Sequence, residues 1–361
     1  MSVKQFSKNM YTKIYFLSIS IFATVSILFI FGCSSPLCLH DPAPKPEVTN
    51  PQTFKNVSQI AFPSLLDVKF EDSLKGYISG LSGFVRKTSN GGVSWTNIDV
   101  PSVGDVYGVY FINNTDGFAG ANNGDLFKTT NGGTSWTKLT TPNSSYNYGQ
   151  FHFFDAMNGL AFGGSPSTTA AILKTTNGGA TWTDVSVPGM SSVYDVEFID
   201  NTTGYLCGSN NNIYKTTDGG ATWVNQPVTI TTPASNWILL AEIKFINSTV
   251  GYCVGYSISF DKNFIFKTTN GGATWNQLAS PAQTAPTADV YTSFFAPSAN
   301  EIYIVGGNVA NNTGTLLKST DGGISWSNIS PNTSRLFAST FIQNTSYIVG
   351  VNGTIIKSRG Y

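Results

Sequence analysis

KTTDGGATWVNQP, residues Lys215–Pro227, decides the fold, because near-copies of it punctuate the chain. KTSNGGVSW begins at Lys87, KTTNGGTSW at Lys128, KTTNGGATW at Lys174 and again at Lys267, and KSTDGGISW at Lys318. A seventh opening, KSRGY at Lys357, breaks off before a tryptophan. The tryptophans of the full copies, Trp95, Trp136, Trp182, Trp223, Trp275 and Trp326, recur at intervals of 41 to 52 residues. That period, with several short strands per unit, is the signature of a β-propeller blade.

Within the fourth unit, alternation of apolar and polar residues with Gly and Asn at the corners reads as four antiparallel strands. They are Val193–Asp200, Tyr205–Ser209, Ile213–Thr217 and Ala221–Pro227. Six units begin near Leu66, Tyr107, Gly149, Tyr194, Ala241 and Tyr291, and a last one, from Phe337, has only three strands. The missing strand is expected from FKNVSQIAFP, Phe54–Pro63, which resembles the outer-strand pattern of Trp95–Pro101. Pairing it with Thr354–Ser358 closes a seven-bladed all-β ring of four-stranded antiparallel blades and removes the open sheet edges. Residues 54–361 then supply about 44 residues per blade.

Charged residues make up 11% of the chain and the net charge is zero. With only three arginines, Arg86, Arg335 and Arg359, the footprint that nucleic-acid backbones require is missing. Residues 1–33 read as a lipoprotein signal: Lys4, Lys8 and Lys13, an apolar run from Ile14 to Gly32, then Cys33 as the lipidation site. The same run is just long enough to span a bilayer uncleaved, and both readings put the remainder outside the cytoplasm. Residues 34–53, with Pro36, Pro42, Pro44 and Pro46, read as a semi-extended tether. Ser34 and Ser35 after the cysteine favour the outer membrane of a bacterium. Cys207 and Cys253 fall one place apart in equivalent strands, so their side chains should point to opposite sheet faces. They read as small buried hydrophobes.

The repeated turn has local chemistry. An Asp or Asn side chain accepts backbone N–H bonds round the hairpin, the glycines tolerate positive φ, and the Trp covers it. Asn90, Asn131, Asn177 and Asn270 occupy the position of Asp218 and Asp321. A group that an amide can replace is not an acid or base, so the motif is structural. The lysine opening each copy is expected to lay its stem over apolar surface, the alternative being an anionic partner.

Chain reversal puts the turn between first and second strands at the same end as the repeated hairpin, and both keep constant length. The length differences collect at the other end, in Asn143–Tyr148, Ser165–Ala170, Thr229–Trp237, Tyr256–Phe264, Ala279–Ala288 and Asn308–Gly314. Insertions confined to one face mark the binding face of a repeat protein. The candidate partner-binding residues there are Tyr146, Tyr148, Trp237, Tyr256, Phe260, Asp261 and Lys262, with Tyr107, Tyr194 and Tyr291 beginning strands nearby. The competing reading has those last three plug the channel mouth. The entering strand runs away from the conserved end, so the tether leaves from that end and the variable face points away from the membrane.

The hairpin resembles the Asp-box, S/T-x-D/N-x-G-x-x-W. The longer pattern from Asp195 to Trp223 resembles the repeats of the Ycf48/Hcf136 photosystem II stability and assembly factor family over nearly all of residues 54–361. The resemblance implies a seven-bladed, exported, non-catalytic scaffold that binds a membrane-protein assembly intermediate. The family's arginine-rich patch has no counterpart among the three arginines. The alternative is a glycan-binding propeller or a glycoside hydrolase of sialidase or xyloglucanase type. For a hydrolase the carboxyl pair would come from Asp67, Asp195, Glu197 and Glu242, although Lys69 and Lys244 interleave with them and favour a self-neutralising lining. His40 and His152 are the only histidines, so no triad or histidine metal site is expected. A monomer without cofactor is expected.

Overall fold

The structure, a computed structural model, describes residues 54–358 apart from 58–61, 102–103, 143–145, 165–169, 186, 188, 232–237, 258–261 and 281–288. These residues form seven sheets, each built on the antiparallel strands of one unit in chain order. The seventh is closed by the earliest described strand, Phe54–Asn56, which pairs antiparallel with Ile355–Ser358 in the register Phe54 to Ser358 and Asn56 to Ile356. The fourth unit's strands span Val193–Phe198, Gly204–Gly208, Ile213–Thr216 and Val224–Gln226. The outermost strand starts three residues later than the sequence suggests. The Asp-box turn, held by Asp218, continues through Trp223 before the ladder begins.

Two departures from a uniform four-stranded blade are informative. The fifth sheet gains a fifth strand, Val228–Thr229, which runs parallel to Trp275–Gln277 and covers its outer edge. Each innermost strand also carries a β-bulge at the equivalent place, between Leu65 and Asp67 in the first blade and between Leu336 and Ala338 in the last. The residues that the bulges expel include Leu66, Tyr107, Tyr194 and Phe337, which come from different blades and share one buried cluster. A bulge bends its strand and re-aims a side chain, and here it turns apolar side chains toward the central axis.

Blades adhere through a repeated aromatic contact. The second-strand aromatic of one blade stacks on the first-strand phenylalanine of the next: Tyr77 on Phe111 at 4.4 Å, Phe118 on Phe153 at 4.9 Å and Tyr205 on Phe245 at 4.1 Å. The ring closes by the same device, Tyr347 of the seventh blade on Phe70 of the first at 3.7 Å. Each such pair contributes about 0.5–1.5 kcal/mol beyond its buried area. Cys207 and Cys253 obey the same geometry. Their side chains leave opposite faces of equivalent strands, but in neighbouring blades those are the facing surfaces, so both lie fully buried in one cluster. The adjacent Cys253 thiol and, above all, burial hold the Cys207 thiol well above its ordinary pKa.

Candidate functional site

At the conserved end, every Asp-box copy builds the same hydrogen-bond set. In the fourth blade, Thr216 donates its hydroxyl to Asp218 Oδ1 at 2.7 Å and accepts the Gly220 N–H at 2.9 Å. Asp218 also accepts the Thr222 N–H at 2.9 Å and the Thr222 hydroxyl at 2.6 Å. Gly219 and Gly220 hold φ of 67° and 80°, the left-handed region that glycine enters without a Cβ clash. The Gly219 N–H then donates to Thr202 O, tying the box to the neighbouring turn of its own blade. Asn90 does the same work as an amide, accepting the Ser94 N–H and donating Nδ2–H to the Ser94 hydroxyl. The box is therefore a fastener in both its Asp and its Asn forms.

These bonds hold the carboxyls of Asp218 and Asp321 down to about 2, the Thr222 and Ser325 hydroxyls being the largest causes. A folded pKa below the ordinary 3.8 stabilises the protein above that value and the contribution disappears as pH falls through about 2. Asp218→Asn is expected to flatten the stability profile between those limits while leaving neutral stability nearly unchanged. Urea melts at stepped pH measure this; an unaltered acid slope would remove the box from the cause of acid unfolding.

The box lysines do more than cover apolar surface. Lys128, Lys215, Lys267 and Lys357 lie 5.1–5.7 Å from the ring centre of the second-strand aromatic beside them. Their amines, with that of Lys87, reach across to the next blade's box. Lys87 donates to Gly132 O, Lys128 to Gly178 O, Lys215 to Gly271 O, Lys267 to Gly322 O, and Lys357 closes the circuit on Gly91 O at 3.0 Å. Lys318 faces the seventh blade, which has no box, and pairs instead with Glu301 at 2.9 Å. These cations are engaged and leave little for an anionic partner.

The channel carboxylates are committed in a similar way. An innermost strand has no neighbour on its axial edge, so its N–H groups there need acceptors from elsewhere. Asp195 and Glu197 of the fourth blade, two residues apart and so on one face, accept the N–H groups of Ile243 and Phe245 in the fifth. Glu242 accepts the Phe294 N–H of the sixth at 2.8 Å and pairs with Lys244, whose amine also donates to Phe294 O. The Ser293 and Ser339 hydroxyls join the sixth blade to the seventh at 2.7 Å. Asp67 is held up to about 7 by burial, against the pull of Lys69, and burial likewise raises Asp195 despite Lys244.

An acid favoured in its protonated form by folding destabilises the native state as it ionises, so stability should fall between roughly pH 4 and 7. Asp195→Asn is expected to reduce that fall, which thermal melts across the window read directly. His152, stacked on Phe198 at 4.2 Å, is pushed down to about 3 by burial and then by Lys69, and so stays neutral. Among the described residues no group of three or more His, Cys, Asp or Glu side chains could hold a metal.

Cys33 and, of the residues expected at the variable end, Trp237, Phe260 and Asp261 lie outside the described residues. Tyr107, Tyr146, Tyr148, Tyr194, Tyr256 and Tyr291 are each 8% exposed or less. They fill the interior at that end instead of presenting rings at the surface, and Tyr107 and Tyr194 sit in the axial cluster as channel plugs. Burial drives the Tyr107, Tyr194 and Tyr256 phenols upward and Tyr291 to about 12, so none ionises readily near neutrality. Lys262 is half-buried, its carbonyl accepting the Ser257 N–H across the hairpin.

The charged residue of this end that sequence reasoning left aside is Arg335. It is 6% exposed, and its guanidinium lies 5.1 Å from the Phe337 ring centre. An isolated buried arginine has no pattern in sequence that would announce it.

The family model described as "Photosynthesis system II assembly factor YCF48" matches residues 47–183 and 175–283. No curated protein matches the chain. Among solved structures, YCF48 from Cyanidioschyzon merolae is similar at 16% identity and a TM-score of 0.62, covering 84% of this chain and 98% of that one. The virginiamycin B lyase of Staphylococcus aureus is similar at 14% identity and a TM-score of 0.63, covering 86% and 100%. At such identities the likeness is one of fold, and the fold carries both a lyase and an assembly factor.

Proposed function

Because the chain belongs to the photosynthesis system II assembly factor YCF48 family, we propose that it is a non-catalytic propeller whose work is to bind a protein partner. The observation that carries this reading is the commitment of its acids. Of Asp67, Asp195, Glu197 and Glu242, from which a hydrolytic pair would have to be drawn, the last three accept backbone N–H groups of the next blade, which leaves Asp67 no uncommitted second carboxyl to pair with. A general acid or nucleophile must be available to a substrate, and these groups serve as fasteners between blades. The glycosidase and glycan readings gain no support from that arrangement.

The expected placement is extracytoplasmic. The chain is exported, lipidated at Cys33 and held on a bacterial membrane, the outer one favoured, by the tether of residues 34–53. Phe54 stands opposite Ser358, at the Asp-box end of the seventh blade. A tether leaving there turns the variable end away from the bilayer, toward an assembling membrane protein. The test is affinity capture from solubilised membranes by the full-length chain, run beside a broad glycoside hydrolysis screen. One stoichiometric membrane-protein partner and no turnover are expected. Turnover abolished by Asp195→Asn or Glu242→Gln would overturn the reading.

A further inference from the structure

We propose that Arg335 is the anchor of a carboxylate-binding site at the variable end of the propeller, and that the ligand is an acidic side chain of a bound peptide segment flanked by apolar residues. This rests on the partner-binding reading and names the chemistry the partner must offer.

A guanidinium has five N–H donors and stays charged, so burying it without acceptors is costly. Arg335 is more than nine-tenths buried, and its Nε–H is without a hydrogen-bond partner. The ion pairs of Arg86 with Asp99, Lys138 with Asp125, Lys244 with Glu242 and Lys318 with Glu301 do not involve Arg335. The contrast with Arg86, which bonds both Asp99 and its own Val85 carbonyl neighbour, is direct.

The arginine is also built in. Its N–H donates to Asn312 O at 3.1 Å and its carbonyl accepts the Val351 N–H at 2.9 Å, so the backbone is fixed from both sides. Its stem crosses Gly307, where a Cβ would come within 2.6 Å of Arg335 Cγ; only glycine leaves that path open. The Phe337 ring lies beneath the guanidinium, its centre 5.1 Å away, and Tyr256 stands within electrostatic reach. A fixed planar fork over an aromatic ring is the arrangement that receives a carboxylate with two parallel bonds. One cation balances one carboxylate, whereas a phosphate dianion would remain half-neutralised. The aromatic surroundings of the guanidinium, Phe337 and Tyr256, favour a carboxylate whose neighbours in the segment are apolar.

The test uses the full-length chain and three fluorescein-labelled hexapeptides with a Phe-Glu-Leu centre, a Phe-Gln-Leu centre and a Phe-phosphoserine-Leu centre, read by anisotropy. The Glu peptide is expected to bind at least tenfold tighter than its Gln twin and tighter than the phosphoserine twin. Arg335→Gln should collapse that preference to under twofold, and Arg335→Lys should keep part of it. Gly307→Ala, whose Cβ would meet the Arg335 stem and Thr313 O at 2.6 Å while leaving the charge in place, should act like Arg335→Gln, with melting curves confirming that each variant folds. Equal binding of the Glu and Gln peptides, a preference surviving in Arg335→Gln, or stronger binding of the phosphoserine peptide would each overturn the proposal. A membrane partner captured equally by wild type and Arg335→Gln would also overturn this site while leaving the partner-binding function standing.

Discussion

Phe70→Ala is expected to lower folding stability by about 3–5 kcal/mol, the range for emptying a buried phenylalanine site. Phe70 is fully buried, stacked on Tyr347 at 3.7 Å and set edge-on to Trp95 at 6.2 Å. It therefore stands at the seam where the first blade meets the last. Removing its ring leaves a void bounded by two blades that are joined only through side chains and the closing strand. Two milder variants make the result interpretable. Tyr347→Phe keeps the stack and gives up only the hydroxyl bond to Gly91 O, a loss of about 1 kcal/mol. Phe153→Ala, at an interior blade boundary with the same stack on Phe118, should cost a similar amount to Phe70→Ala but without separating the ends of the sheet. Urea melts would measure all three, and a Phe70→Ala cost near 1 kcal/mol would show that the seam contributes little.

Lys244→Met is expected to be comparably damaging, at about 3–5 kcal/mol, because it strips the cation from a carboxylate that is entirely buried. Glu242 would keep the Phe294 N–H, but one neutral donor does not offset an unpaired buried charge. The double variant Glu242→Gln/Lys244→Met removes both charges and leaves an amide able to accept the same N–H. It should recover most of the loss, so the cycle should be strongly non-additive. Additive costs would mean that the two groups act separately and that the pair is not a unit of the channel.

The fold is legible in the sequence to a high degree, and the reason is redundancy. The Asp-box period, the constant hairpin lengths and the outer-strand pattern at Phe54 all point to one closed ring, and the pairing of Phe54–Asn56 with Ile355–Ser358 is that closure. What sequence leaves open is every contact between blades, because those join residues about one repeat apart, 48 positions for Asp195 and Ile243 and 56 for Lys215 and Gly271, with no pattern of their own to betray them. Lys215 reaching Gly271 O and Asp195 reaching the Ile243 N–H are of this kind. Period-two alternation says that Asp195 and Glu197 share a face; it does not say that Ile243 and Phe245, also two apart, present their amides to them. The variable-end tyrosines show the same limit. Aromatic residues at strand starts suit a surface or a plug equally well, and only the bulges, which aim Tyr107 and Tyr194 at the axis, decide between them.

The closing strand also sets an order of events. Phe54–Asn56 is made near the beginning of synthesis, yet its partner Ile355–Ser358 is made about three hundred residues later. Until then the nascent chain carries two unsatisfied sheet edges, and each blade added lengthens an arc that cannot shut. Ring formation is thereby a checkpoint on completeness: a prematurely terminated chain retains an open edge, which invites pairing with other chains or proteolytic removal, while the finished chain seals itself in one late, long-range step.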